Sequence, residues 1–251
     1  MPLPRQVYVH GFITMKGVKL SKSLGNAIDP IELSNLSGTD ALRFYLVHAI
    51  PTGRDGEFTY EQFVEHCNTF LANDLGNLAS RTIAMVHKYF DGRVPAEWDP
   101  ESLSDGAARA ALDALIAAAT AAAAEVPKAF RELRLHEALD AAWQPVVRAN
   151  ELIERVKPWI VAKDPARHTE LATTMTALLE TLRLLAAWTW PVMPTKSEQL
   201  WAMLALPGTT AEVRGEQALP RFGDPALAGR VLGEAAILFP RLELKVDSAA
   251  G

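Results

Sequence analysis

From Pro30 almost to its C-terminus the chain keeps a helical period, and only the first 28 residues depart from it. That switch points to helices packed on helices for most of the 251 residues, with a small β element in front. Residues 6–14 are β-rich through Val7, Tyr8, Val9, Phe12 and Ile13, and Lys16-Gly17 supplies a turn to a second short strand. Leu42, Leu46 and Ile50 recur at helical spacing beside Tyr45, which predicts a helix over 39–49 with Thr39 as its cap. A turn-rich break follows, in which Asp55 and Glu57 flank Gly56 and read as a solvated turn.

Thr59-Tyr60-Glu61-Gln62 is a capping box opening a long helix to about residue 90, stopped at Asp91-Gly92. Gly76 inside it costs roughly 1 kcal/mol against Ala, so it marks a bend or a close approach. An alanine-dense helix over 106–126 carries Leu112, Leu115 and Ile116 on one face and is broken by Pro127. Further helices are predicted over 135–156, 168–188, 195–204 and 225–238, with Thr195-Lys196-Ser197-Glu198 as a second capping box. The fold class is therefore mainly α: a small hairpin and connecting segment over 1–58, then a helical bundle over 59–251.

The net charge of −5 argues against a general nucleic-acid coat, but residues 1–28 hold Arg5, Lys16, Lys19 and Lys22 and no acid, a local +4. The single cysteine, Cys67, forms no internal disulfide, and no histidine pair has metal-ligand spacing, so no metal site is expected. Met1-Pro2-Leu3-Pro4 lacks the apolar core of a secretory leader. No run approaches 18 uncharged apolar residues, so no membrane contact is expected either. These features predict a reduced, soluble, cytoplasmic protein.

Three places carry candidate chemistry. Lys19-Leu20-Ser21-Lys22-Ser23 packs two ammoniums and two hydroxyls into five residues, a segment able to wrap a polyanion. Asn77 and Arg81 stand four apart and share a helical face, with Asp74 near it. Asparagine amides and arginine forks read the edges of splayed bases, although such a face also serves as solvated surface or as a polar tie between helices. Trp159 follows Pro158 at a helix end, either as a core anchor or, if exposed, as a platform for an unpaired base. Trp98, Trp143, Trp188, Trp190 and Trp201 lie in apolar surroundings and read as core.

The lysine–serine segment, in the order Val9-His10-Gly11-Phe12-Ile13-Thr14, Gly17-Val18, Lys19 to Ser23, Gly25-Asn26 and Asp29-Pro30, resembles the KMSKS loop of class I aminoacyl-tRNA synthetases, with Leu20 in place of Met. Asp55-Gly56-Glu57-Phe58, Leu71 through Arg81, Ala149-Asn150 with Pro158 through Lys163, and Leu238 through Glu243 together resemble the C-terminal part of bacterial-type methionyl-tRNA synthetases. The resemblance implies that Lys22, helped by Lys19, Ser21 and Ser23, contacts the phosphates of ATP and acts in adenylation. It implies that Asn77, Arg81 and Trp159 recognise the CAU anticodon of tRNA(Met), and that methionine, ATP and Mg2+ are ligands of the complete enzyme. It makes residues 1–58 the end of a class I catalytic core with its stem-contact segment, and residues 59–251 an anticodon-binding domain. The HIGH-bearing half of the family is absent, so the chain alone is expected to be inactive, with that half as a possible partner. The alternative is a non-catalytic, stand-alone tRNA-binding module.

Overall fold

The structure, a computed structural model, describes residues 3, 7–20, 28–213, 215–223 and 227–243, apart from the side chain of Glu216. Ser21, Lys22 and Ser23 lie outside the described residues.

The hairpin is shorter than its β-rich sequence predicts. β1 (Ile13–Met15) pairs antiparallel with β2 (Val18–Lys19), setting Thr14 opposite Lys19 and Met15 opposite Val18. Lys16 and Gly17 both have positive φ (53° and 72°), the mirror-image turn that matches the twist of a two-residue hairpin. Residues 7–12 form no strand. A third strand, β3 (Gly56–Glu57), lies parallel to β1, pairing Ile13 with Gly56 and Thr14 with Glu57. The Asp55–Glu57 segment is therefore a sheet edge, not a solvated turn.

The helical body begins with α1 (Pro30–Ser37), capped by Asp29, and α2 (Thr39–His48). Thr59 caps α3 (Tyr60–His66) by accepting the Gln62 N–H at 3.1 Å. The predicted long helix then runs through a π-helical stretch (Cys67–Gly76) into α4 (Asn77–Phe90), which ends at a left-handed Asp91. The wider π turn brings the Leu71 carbonyl to the backbone of Gly76, where a Cβ would stand 2.9 Å from that oxygen. Gly76 is thus a close approach. Asn68 clasps the C-terminal segment to this stretch: its amide donates to the Leu242 carbonyl at 2.9 Å and accepts the Leu242 N–H at 2.8 Å.

α5 (Gly106–Arg131) passes through Pro127 without breaking. The ring is exposed and removes one backbone donor, while Val126 and Ala129 on either side stay buried and hold the last turns to the core. By length and mean hydropathy α5 is apolar enough to cross a membrane, although its longest run without a charged residue is only 114–124. Alanine supplies that hydropathy, and Leu112, Leu115, Ala119, Ala122 and Val126 are packed inside the protein. α6 (Leu135–Val156) returns antiparallel beside α5. A short α7 (Pro158–Val161) follows a left-handed Lys157, then the largely buried α8 (His168–Thr189) and α9 (Pro194–Met203).

Other expectations fail: Thr39 is the first residue of α2, which Gly38 precedes without a side-chain cap. The Thr195–Glu198 box does not form: α9 starts at Pro194, its Lys196 N–H is taken by Asp40 of α2 at 2.6 Å, and Glu198 instead accepts the Thr210 N–H at 2.9 Å. No helix forms over 227–238. The backbone there bonds to distant partners, with Val94 N–H donating to Arg230 and Leu232 N–H to Gly92, each at 2.8 Å, so no helical ladder is needed. Trp143, Trp188 and Trp201 are core as predicted. Trp98, stacked on Phe222, and Trp190 are only half-buried. One continuous apolar core joins the segments on both sides of residue 58, with Phe58 packed edge-on against Tyr45.

Candidate functional site

Two candidate sites can be placed on the fold. The first is the hairpin. β2 ends at Lys19, whose ammonium lies 3.7 Å from the centre of the Phe12 ring on the exposed side of the sheet. The hairpin thus delivers the chain toward Ser21, Lys22 and Ser23. Mobile ammoniums and hydroxyls suit a polyphosphate, and Lys19 is the described member of that set. Among the described residues, no three His, Cys, Asp or Glu side chains converge to hold a metal ion.

The second site lies where α4 meets α7. Asn77 opens α4 and is exposed, and Arg81 stands one turn further along. The left-handed Lys157 turns the chain sharply out of α6, so Pro158 is buried while Trp159 is 40% exposed. The Arg81 guanidinium carbon lies 5.9 Å from the centre of the Trp159 indole, within reach of cation–π attraction. Glu154 of α6 accepts from Arg81 at 3.0 Å and holds the guanidinium beside the ring. An open cleft of about 420 Å³ adjoins, lined by Asp74, Asn150, Glu151 and Glu154 among others. The Asn150 amide donates to the Asp74 carbonyl at 3.3 Å, tying α6 to the π stretch, and burial raises the Asp74 carboxyl above its usual range. An exposed aromatic face, a guanidinium fork and a free amide edge are what a single-stranded base needs for stacking and edge recognition.

The family model described as tRNA synthetases class I (M) matches residues 1–83, and the anticodon-binding domain of tRNA ligase matches residues 114–222. Methionine–tRNA ligases of Clostridium acetobutylicum and Bacillus subtilis are each 38% identical to the chain, over 97% and 99% of its length. The chain spans 36% of the length of each of these curated relatives. In structure it resembles methionyl-tRNA synthetase of Mycobacterium tuberculosis, in the free state (TM-score 0.81, 30% identity, 97% of this chain and 45% of that one) and in complex with methionyl-adenylate (TM-score 0.82, 33% identity, 96% and 45%). The chain belongs to the methionyl-tRNA synthetase family.

Within that family framework, the α4–α7 site is assembled from both matched stretches, Asn77 and Arg81 from one and Trp159 from the other. The sequence singles out all three residues as candidates but not Glu154, because its partnership with Arg81 is made across two helices and leaves no local spacing to read. Nor does local spacing reveal Glu57, which binds the hairpin turn from a separate segment.

Proposed function

We propose that this chain supplies the ATP-phosphate loop and the anticodon reader of a methionine–tRNA ligase. In the complete enzyme, methionine and Mg-ATP give methionyl-adenylate and pyrophosphate, and the methionyl group then passes to tRNA(Met) with release of AMP. Lys22 and Lys19, with Ser21 and Ser23, offset the charge of the phosphates, and the Mg2+ travels with the nucleotide. Asn77 and Arg81 read base edges of the CAU anticodon while Trp159 stacks a base. In this reading residues 1–58 close the catalytic core, residues 59–251 form the anticodon-binding domain, and the enzyme works in the cytoplasm.

The observation that carries the reading is the Arg81–Trp159 pair, 5.9 Å apart on an exposed surface with Asn77 one turn away. Positioning of two reactants supplies much of the rate of adenylation, and two lysines cannot do that alone. The chain by itself therefore shows no methionine-dependent ATP–pyrophosphate exchange, and detectable exchange by the purified chain refutes that point. The test of the anticodon role is binding of a CAU stem-loop against stem-loops with one anticodon base changed, for the chain and for Trp159→Ala and Arg81→Ala. Equal binding to all loops overturns it. A stand-alone tRNA-binding module is the second reading, favoured by the single continuous core that the described helices close among themselves. The mass of the native polypeptide separates the two.

A further inference from the structure

We propose that Glu57 is a positioning residue for the lysine–serine loop, acting through the hairpin turn without touching ATP; this rests on the functional reading above. The Glu57 carboxylate reaches across the sheet edge into that turn. Oε2 accepts the Thr14 hydroxyl at 2.6 Å, and the Gly17 N–H points at both oxygens, at 3.3 and 3.4 Å. An amide of the turn and one hydroxyl thus converge on the same carboxylate. These donors hold the carboxyl below its usual range, the Thr14 hydroxyl foremost.

The turn needs such a partner. Lys16 is a side-chain-bearing residue at a φ of 53°, a conformation that costs energy unless its surroundings fix it. Asp55 adds a second tie, accepting the Phe12 N–H at 2.7 Å. The backbone adds two more: Gly56 N–H donates to Phe12 and Phe58 N–H to Thr14, each at 2.9 Å. Gly11 fits against the Arg54 carbonyl only because it has no Cβ. The hairpin is thus gripped along one edge by residues 54–58.

That grip is anchored. Phe58, 1% exposed, follows Glu57 directly, and Thr59 caps the helical run that reaches Asn77 and Arg81. Residues 54–58 therefore fix the hairpin, and with it the origin of the loop carrying Lys22, to the helices that read RNA. Glu57 sets where the loop starts, while the lysines do the chemistry.

The test uses Glu57→Ala, Glu57→Gln and Thr14→Val in the native polypeptide that carries this chain, with any subunit that completes it. Steady-state ATP–pyrophosphate exchange is measured against ATP and against methionine, alongside stem-loop affinity. Misplacing a reacting group by about 1 Å can cost on the order of a hundredfold. Glu57→Ala is expected to raise KM for ATP or lower kcat by roughly ten- to a hundredfold, with KM for methionine and stem-loop affinity unchanged. Glu57→Gln keeps one acceptor and should fall between wild type and Glu57→Ala, and Thr14→Val should reproduce part of the loss if Glu57→Ala does not fold. Folded variants with wild-type ATP kinetics overturn the proposal. A wild-type polypeptide with no exchange at all overturns the functional reading, and this proposal with it.

Discussion

Asp40 caps a helix far from its own: its carboxylate accepts the Lys196 N–H at 2.6 Å, from α2 to the first turn of α9. Three residues further along α2, Arg43 donates to the Val192 and Pro191 carbonyls at 2.7 and 2.9 Å. One face of α2 thus closes the connection between α8 and α9, a break with unpaired donors and acceptors on both sides. Asp40 is only 5% exposed, so water cannot replace it. Asp40→Ala should cost about 1–2 kcal/mol, read from urea unfolding, and Asp40→Asn less because it keeps an acceptor. Equal losses for both would mean that the cap contributes nothing.

A half-buried histidine pair should make stability fall with acid. His48 Nδ1 and His66 Nε2 are 2.9 Å apart, and His48 Nε2 is 2.9 Å from Asp140 on α6. Burial lowers both imidazoles; His66 goes to about 4, with His48 adding to the effect, while Asp140 opposes the fall at His48. An unfolded histidine titrates near 6.5, so below that pH the unfolded chain binds more protons than the folded one. The contribution of His66 is full above about 6.5 and is lost as pH falls toward about 4. Urea midpoints at several pH values should drop across this window, and His66→Gln should flatten the drop. An unchanged slope in that variant would rule the pair out as the cause.

Trp159 and Trp143 should respond oppositely to truncation. If Trp159 stacks a base as proposed, Trp159→Ala removes ~1–3 kcal/mol, a weakening of stem-loop binding of roughly five- to a hundredfold. Its unfolding midpoint should move little, since the ring is 40% exposed. Trp143→Ala empties a packed site beside Phe44 and should cost about 3–5 kcal/mol of stability. If Trp159→Ala binds the CAU stem-loop like wild type, the platform role is wrong.

Gly76→Ala inverts the usual propensity rule. Alanine would gain roughly 1 kcal/mol in an ordinary helix. Here its methyl would sit 2.9 Å from the Leu71 carbonyl, a backbone atom that cannot swing away. The net effect should be a loss of about 1–2 kcal/mol. A stabilised variant, by thermal unfolding, would show that the π stretch relaxes to an α-helix at no cost.

Local pattern alone carried the helices over 135–156 and 168–188, the Thr59 cap and the shared face of Asn77 and Arg81. Each depends on side chains within one or two turns of one another, and that spacing is written in the sequence. Composition and motif order likewise carried the family resemblance. Tertiary structure decided the rest. The Thr195 box gave way because α9 starts a residue earlier, at Pro194, and Glu198 turned to Thr210 instead. Pro127 stayed inside α5 because its neighbours are packed, and residues 227–238 found backbone partners too distant for a helix. Gly56–Glu57 became a strand only because β1 lay beside it. The left-handed Lys157 aimed Trp159 outward and placed it against Arg81. Those outcomes turn on which distant group satisfies a buried donor or fills a face, and no short stretch of sequence records that.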